Sequence, residues 1–476
     1  MFSLRRWGRL SGLPLCFYAA LLLAQEDPAV KAQRAKALLG QGRFAEAALV
    51  YGQLVKQVPG NPGLLLNLGM AQHMAGQHAA AVSNLDAALK IDPNILPANL
   101  FLGGSLMKLG QPARAVAPLR RVVGVQPELK DARQLLADAL LGSGRPREAI
   151  EHYRKWTELE PSSPQAWMGL GSSNEGAAQA AFDQMEKLEP ESAWGLLLVG
   201  EVRERQRQHS SAYYLYREAL KKNPNLPGAH AAIARIYKET GRPEWAAQEL
   251  KKQRPAPVSK PGALEAHYRQ WKTYTEQARR AYAKLGELPP SVEIFRFLAE
   301  SHRTQGQHRE EAAQWRQALK LAPGDTSLQV ELAVALHFAR DDAAAQKILE
   351  PLVKAQPDSA RLNFMLGDTL LSQQQPEKAI PYLQKAVKGD PKLVAARSSL
   401  GRALLQAGQG EAAIIHLKAA LGVDKDGSLH FQLARAYQQA GQSQEARAMT
   451  ARYQEIRSKL EADKRAAEEE VRITPP

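Results

Sequence analysis

Met70, His73 and Met74 stand at i, i+3 and i+4 in the stretch LGMAQHMAGQH, so on a helix two thioethers and an imidazole share one face. Soft sulfur with imidazole is a donor set that suits Cu(I). Nothing nearby supplies the partner that orients a ligating histidine, and the alternative is that the three residues line or pack a structural helix. His73 with His78, and His302 with His308, flank short turns without the four-residue spacing of a helical metal pair, and no HExxH occurs. The run GLGSSNEG, Gly169 to Gly176, has the glycines of a phosphate loop but not the Lys and Ser/Thr that must follow. No GxSxG surrounds a serine. The carboxylate pairs Glu310/Glu311 and Asp341/Asp342 read as solvated residues in turns, not as general acids. No catalytic residue, cofactor site or metal site is therefore assigned, and the chain is not expected to be an enzyme.

What positions these residues is a repeat. Pro59, Pro93, Pro127 and Pro161 are each 34 residues apart, as are Pro190 and Pro224, and Pro323, Pro357 and Pro391, with Pro290 one residue out of register. With that proline at position 32 of a unit, position 20 is alanine in every unit but one, where Glu311 stands, and position 8 is always Gly or Ala. Small residues at two fixed points let two helices approach at their crossing. Position 24 is large (Tyr51, Leu85, Leu119, Tyr153, Tyr216, Trp315), and glycine recurs at position 15, where a left-handed residue ends the first helix. The proline ends the second helix.

This pattern resembles the tetratricopeptide repeat, in phase from Pro28 to Leu460 over about thirteen units. The resemblance implies an all-α fold, a right-handed solenoid of helix-turn-helix hairpins whose first helices line a concave groove. Two units lack the turn between helices, Pro164 to Ser192 and Pro261 to Ser291, and their sequences match at an offset of one hundred (Ala178 with Ala278, Phe182 with Tyr282), as a duplicated block of three units requires. The expected organisation is a signal peptide at 1–24, units 1–4 at 28–163, units 5–7 at 164–260, units 8–10 at 261–359, units 11–13 at 360–460, and the end of a capping helix with a tail at 461–476. The shortened units are expected to change the superhelical pitch, giving a groove in three segments. Met449, Tyr453, Ile456 and Leu460 form a stripe suited to covering the open end of a solenoid, and RITPP reads as a mobile tail.

The resemblance also implies that ligands meet positions 2, 5, 9, 12 and 13 of the first helices. These are Leu66, Met70, His73, Met74, Leu100, Met107 and Lys108 in the early units, a mostly apolar and adaptable face. The middle units place Glu201, Arg205, Arg235, Lys238, Arg296, Glu300 and Arg303 there, and the late units Phe338, Phe364 and Phe431. The lysine and asparagine pattern with which some family members clamp a C-terminal carboxylate is absent, because Ala32 and Lys36 precede Asn67.

Composition narrows the partner. The 476 residues carry 63 Lys+Arg against 49 Asp+Glu, a net charge of +14, spread without the clustered basic face of a nucleic-acid binder. The densest basic run, KKQRPAPVSK at 251–260, reads as a solvated linker, with contact to an acidic polymer or anionic lipid as the alternative. Arg5, Arg6 and Arg9 precede an apolar run from Leu13 to Leu23 and then Ala24, the layout of a secretory signal peptide and too short for a stable span. The expected location is the periplasm, with an inner-membrane anchor formed by an uncleaved N-terminus as the alternative. Cys16 is the only cysteine, so cleavage after Ala24 leaves helix packing without disulfides. The sequence thus points to a non-enzymatic scaffold that binds protein partners and serves the cell envelope. The alternative is a guide for an exported polysaccharide or other envelope polymer, which calls for a more aromatic and polar groove.

Overall fold

The computed structural model describes residues 27–253 and 262–476, so the signal-peptide reading at 1–24 and most of the basic run at 251–260 lie outside the described residues. Among the described residues the chain forms 24 α-helices and no strand. In chain order the helices are α1 (Pro28–Gly40), α2 (Phe44–Gln57), α3 (Pro62–Met74), α4 (His78–Ile91), α5 (Leu96–Lys108), α6 (Pro112–Val125), α7 (Lys130–Gly142) and α8 (Pro146–Leu159). There follow α9 (Pro164–Leu188), α10 (Ala193–Arg205), α11 (His209–Lys222), α12 (Ala229–Glu239), α13 (Pro243–Lys251) and α14 (Ala263–Ala283). The remainder are α15 (Val292–Thr304), α16 (His308–Leu321), α17 (Thr326–Phe338), α18 (Asp342–Ala355), α19 (Ala360–Ser372), α20 (Pro376–Gly389), α21 (Val394–Gln406), α22 (Gly410–Ala420), α23 (Ser428–Gln439) and α24 (Ser443–Glu470).

Each ordinary unit is a hairpin closed at one crossing. A Cβ built on Gly69 lies 2.5 Å from Leu85 Cγ, and on Gly103 it lies 2.4 Å from Leu119 Cγ. The same approach recurs at Gly200 against Tyr216, Gly367 against Leu383 and Gly401 against Leu417. Where position 8 is glycine, the position 24 side chain occupies the space a Cβ needs; the other units place alanine there. Leu85, Leu119, Leu383 and Leu417 are fully buried there, each such burial contributing about 1.5–3 kcal/mol. Between the helices the chain turns through a left-handed residue, with φ of +76° at Gly76 and +68° at Gly110. Arg207, Arg340 and Gln374 occupy the same position with φ of +57°, +65° and +60°, so three units accept the steric cost that glycine avoids.

Proline acts two residues beyond the second helix: α4 ends at Ile91 before Pro93, and α18 at Ala355 before Pro357. The freed proline carbonyl then receives a donor from position 4 of the next unit. Asn99 Nδ2 donates to Pro93 O (3.2 Å), Arg133 Nε to Pro127 O (3.0 Å), Trp167 Nε1 to Pro161 O (2.8 Å), Asn363 Nδ2 to Pro357 O (2.8 Å) and Arg397 Nε to Pro391 O (2.9 Å). Different side chains perform one task, tying a unit to its predecessor by the end of the helix that most needs an acceptor satisfied.

The described chain divides into two compact units. The first holds residues up to Ala180 together with Trp271–Lys284, and the second holds Ala181–Gln270 with Leu285–Pro476. Of the three boundaries, two fall inside the helices that lack a turn, α9 and α14, and the third just past the end of α14. In the first unit the crossing that sequence order assigns within residues 164–192 is instead completed from far along the chain. A Cβ on Gly171 would lie 2.2 Å from the ring of Tyr282, whose hydroxyl donates to Glu175 Oε2 (2.7 Å) and lies 3.3 Å from Ser172 Oγ. Because α9 continues straight past Gly171, its own Phe182 cannot fold back onto it. Position 8 comes from one shortened unit and position 24 from the other, 111 residues later. The glycines of GLGSSNEG are packing residues in this helix: Gly169 meets Tyr153, Gly171 meets Tyr282 and Gly176 meets Pro146.

In the second unit, the core runs from Ala299 through Leu332, Leu366, Leu383 and Leu404 to Leu433. Glu311, read from sequence as a solvated turn residue, is instead 0% exposed in the first turn of α16. It accepts from Arg303 Nε (2.6 Å), and its other oxygen lies 3.0 Å from His308 Nδ1, so the one non-alanine at position 20 is a buried acid matched by two basic neighbours.

The tight crossing makes a contrast between two helical glycines. Gly103→Val forces a branched side chain against Leu119 and is expected to cost about 1–3 kcal/mol. Gly52→Ala, where a Cβ meets nothing within 4 Å, is expected to gain about 0.5–1 kcal/mol by helix propensity. Urea unfolding followed by circular dichroism measures both, and equal effects would refute the crossing as the tight point.

Candidate functional site

The groove candidates of the first unit are largely engaged with their own repeats. Leu66, Leu100 and Met107 pack against the core that joins α4 to α9. His73 Nδ1 lies 2.8 Å from Ser105 Oγ, its ring meets Phe101 edge-on at 5.4 Å, and burial lowers its pKa, aided by the charge of Lys108. That is the environment of a neutral histidine locked between successive first helices. Met70 is half-buried, whereas Met74 is 48% exposed and Lys108 is exposed, so the solvent-facing end of this face is small.

The charged candidates lie in the second unit, and several are committed to ion pairs that step from one repeat to the next. Arg235 forks onto Glu204 with two bonds of 2.9 and 3.0 Å, and Glu201 accepts from the Tyr268 hydroxyl (2.7 Å). Arg303 bridges Glu311 in its own unit and Glu331 in the next (2.6 Å each), and Arg361 of the following unit reaches Glu331 as well (3.2 Å). Arg205, Lys238, Arg296 and Glu300 are exposed. Phe431 lies 5.2 Å from the Tyr453 ring of α24, so the last groove position is partly covered by the C-terminal helix.

The late candidates Phe338 and Phe364 are brought together. They line a cleft of ≈ 480 Å³ between α17 and α19, with Val334 and Met365 as further apolar wall and Leu393 from the approach to α21. Phe338 is 60% exposed, an unusual state for a ring, and stacks on His308 at 5.1 Å. The polar side of the cleft holds Arg361, Asp368 and Asp390. Behind it His337 is held at both nitrogens, Nδ1 by Asp342 (2.7 Å) and Nε2 by Asp368 (3.1 Å). The other oxygen of Asp368 accepts from Ser399 Oγ (2.6 Å) and Arg402 Nη2 (2.8 Å) of the next unit.

These contacts shift both pKa values. The hydrogen bond to Asp368 raises the His337 pKa, and the bond to Asp342 adds to it, outweighing burial. Burial pushes Asp368 upward, but the bonds from His337 and Ser399 and the charge of Arg402 bring it below the usual carboxylate value. The cleft therefore sets an apolar, ring-lined wall beside a fixed imidazolium-carboxylate-guanidinium row. Such a wall accepts an apolar side chain of a peptide while the row fixes its orientation by hydrogen bonds. Sequence reading found the two phenylalanines but passed over Arg361, Asp368 and His337. They stand at positions 2, 9 and 12, the same groove set, so periodicity locates them but does not show the partners that give them a role.

A raised histidine pKa stabilises the fold below the ordinary value near 6.5 and loses that contribution as pH rises through the folded value. In a histidine-selective NMR titration, His337 is expected to titrate above that ordinary value, and Asp368→Asn to shift it downward. Titration of His337 at or below the ordinary value in the unaltered chain would break the assignment.

Three family models, each described as Tetratricopeptide repeat, match residues 33–94 and 330–394, residues 370–429 and residues 130–173. No curated protein matches the chain. Among solved structures, MamA MSR-1 is 25% identical and aligns over 36% of this chain and 98% of its own, with a TM-score of 0.32. MamA from Desulfovibrio magneticus RS-1 is 21% identical over 43% of this chain and 99% of its own, with a TM-score of 0.30. A tetratricopeptide repeat protein from Parabacteroides merdae is 13% identical over 65% and 98%, with a TM-score of 0.32. The family models thus match near both ends, and the same crossing recurs between and beyond the matched residues, so the chain carries tetratricopeptide repeats.

Proposed function

We propose that this chain is a non-enzymatic scaffold that holds a protein partner in the α17/α19 cleft and serves the assembly or maintenance of the cell envelope. The observation that carries the reading is the exposed Phe338, which forms with Phe364 and Met365 an apolar wall at groove positions while the other large groove residues are mostly packed or paired. An aromatic anchor beside a fixed polar row is the composition of a peptide hot spot. The fitting partner is a helical or extended segment with one large apolar side chain and a charge or amide to meet Arg361 or Asp390. The envelope setting rests on the N-terminal sequence, and no described helix is long and apolar enough to cross a membrane. Within the second unit, the exposed candidates Arg205, Lys238, Arg296 and Glu300 are the groove positions open to further contact along the first helices. The polymer-guide reading calls for a polar aromatic groove, whereas this wall is apolar.

A photo-crosslinking residue at Phe338, compared with one at Met74, tests this in a cell-envelope fraction. The expected result is a discrete protein adduct from position 338 that is lost in the Phe364→Glu variant, with circular dichroism unchanged. Adducts of equal yield from both positions, or only glycan captured, would transfer the site elsewhere and favour the polymer.

A further inference from the structure

Residues 471–476 read Val-Arg-Ile-Thr-Pro-Pro and follow the 28-residue α24. The sequence marks them as a mobile tail, but the structure docks them 200 and more residues back on the second unit. The Thr474 carbonyl accepts from the hydroxyls of Tyr213 (3.0 Å) and Tyr237 (2.7 Å). Thr474 Oγ1 lies 2.9 Å from the Tyr213 oxygen, which also accepts from Arg217 Nη1 (2.8 Å). Immediately before the tail, Glu470 accepts from the Tyr214 hydroxyl (2.7 Å). The floor is aromatic: the rings of Tyr213 and Tyr237 are 5.7 Å apart, and Trp245 stands edge-on to Tyr237 at 5.6 Å.

We infer that the Tyr213, Arg217 and Tyr237 face is a recognition site for an extended Thr-Pro-Pro segment, occupied within the chain by its own residues 471–476 as a releasable latch. The chemistry is specific to that ligand. Pro475 biases Thr474 toward the extended backbone, and the two prolines cost little entropy to fix. Two phenolic hydroxyls converge on the one carbonyl that a residue before proline presents, and aromatic rings are the surface on which proline-rich segments dock. The site is separate from the groove. Tyr213 and Arg217 stand at positions 21 and 25 of a second helix and Tyr237 at position 11 of a first, none of them in the groove set.

The strut that delivers the tail is built to let go. Met449 packs against the repeat core and Tyr453 against Phe431, but every residue from 457 to 470 is exposed. About 20 Å of helix, at 1.5 Å per residue, is therefore held chiefly at its two ends. Segments with so little buried surface open at low free-energy cost. A competing extended Thr-Pro segment from a partner, presented at higher effective concentration, displaces the tail and frees α24.

The test deletes residues 472–476 and measures the anisotropy of an N-terminally labelled peptide, Val-Arg-Ile-Thr-Pro-Pro. Saturable binding to the shortened chain, at least about tenfold weaker to the full chain, is expected, because the tethered copy competes at millimolar effective concentration. Tyr213→Phe with Tyr237→Phe in the shortened chain is expected to weaken binding by about tenfold while circular dichroism is unchanged. Equal binding to both chains, or no saturation by about 5 mM peptide, overturns the inference. A concentration-dependent dimer of the full chain that the deletion abolishes also overturns it, since the tail would then belong to a second copy. The latch shares no residue with the α17/α19 cleft, so its failure leaves the partner-binding reading standing.

Discussion

Everything in this molecule depends on one contact, the packing of a position 24 side chain against the small residue, glycine or alanine, at position 8. The contact brings two helix axes close enough for short side chains to bury each other, which is how a chain with 6% aromatic residues closes a core at every hairpin. It also sets the geometry for function. With the second helices fixed behind them, first helices present the same positions in every unit, so groove residues line up across repeats. Nothing in this arrangement requires a disulfide, because each hairpin is stapled by its own crossing and by its neighbour.

The link between neighbours is polar as well as apolar. A donor at position 4 reaches the carbonyl of the preceding unit's terminal proline, and Asn, Arg and Trp all perform the task. Only the N–H matters, which explains why no consensus residue marks the position. Charged pairs add a second tier: Glu331 lies between Arg303 and Arg361, and Asp368 between His337 and Arg402, so each carboxylate spans a repeat boundary. Single exposed ion pairs contribute little, but a carboxylate gripped from two sides fixes the register of adjacent repeats.

The hairpin architecture was legible in the sequence because its cause is local and periodic. Small residues at 8 and 20, a left-handed turn at 15 and a large residue at 24 each answer a steric demand that recurs every 34 residues. The exceptions were legible as exceptions but not in their resolution. Glu311 broke the alanine column, and only the positions of Arg303 and His308 show that the acid is buried and matched. The two units without a turn were visible as shortened, yet periodicity pairs each helix with its sequence neighbour and cannot say that Tyr282 serves Gly171. Thr474 gave no signal, since composition speaks of a segment's own propensity and not of hydroxyls placed to receive it. The cleft falls between these cases. Phe338 and Phe364 were found through groove positions, while His337 and Asp368, at equally predictable positions, acquire meaning only from the partners that set their charge.

The position of the cleft follows from the same physics. A repeat scaffold spends its large apolar residues on crossings and on the faces between units, so a ring left exposed at a groove position is one the fold does not need. In the first unit the groove residues Leu66, Leu100 and Met107 are drawn into the core, where Gly103 and Gly104 let α5 approach Leu119 and His73 closely. Around α17 and α19 the wide spacing is held open instead by charge. His337 and Asp368, fixed as an ionic pair and braced by Arg402, cannot collapse onto Phe338 and Phe364 without leaving a charge unpaired. The polar row thus keeps the apolar wall accessible, and a partner that covers the wall meets a surface already in its bound geometry.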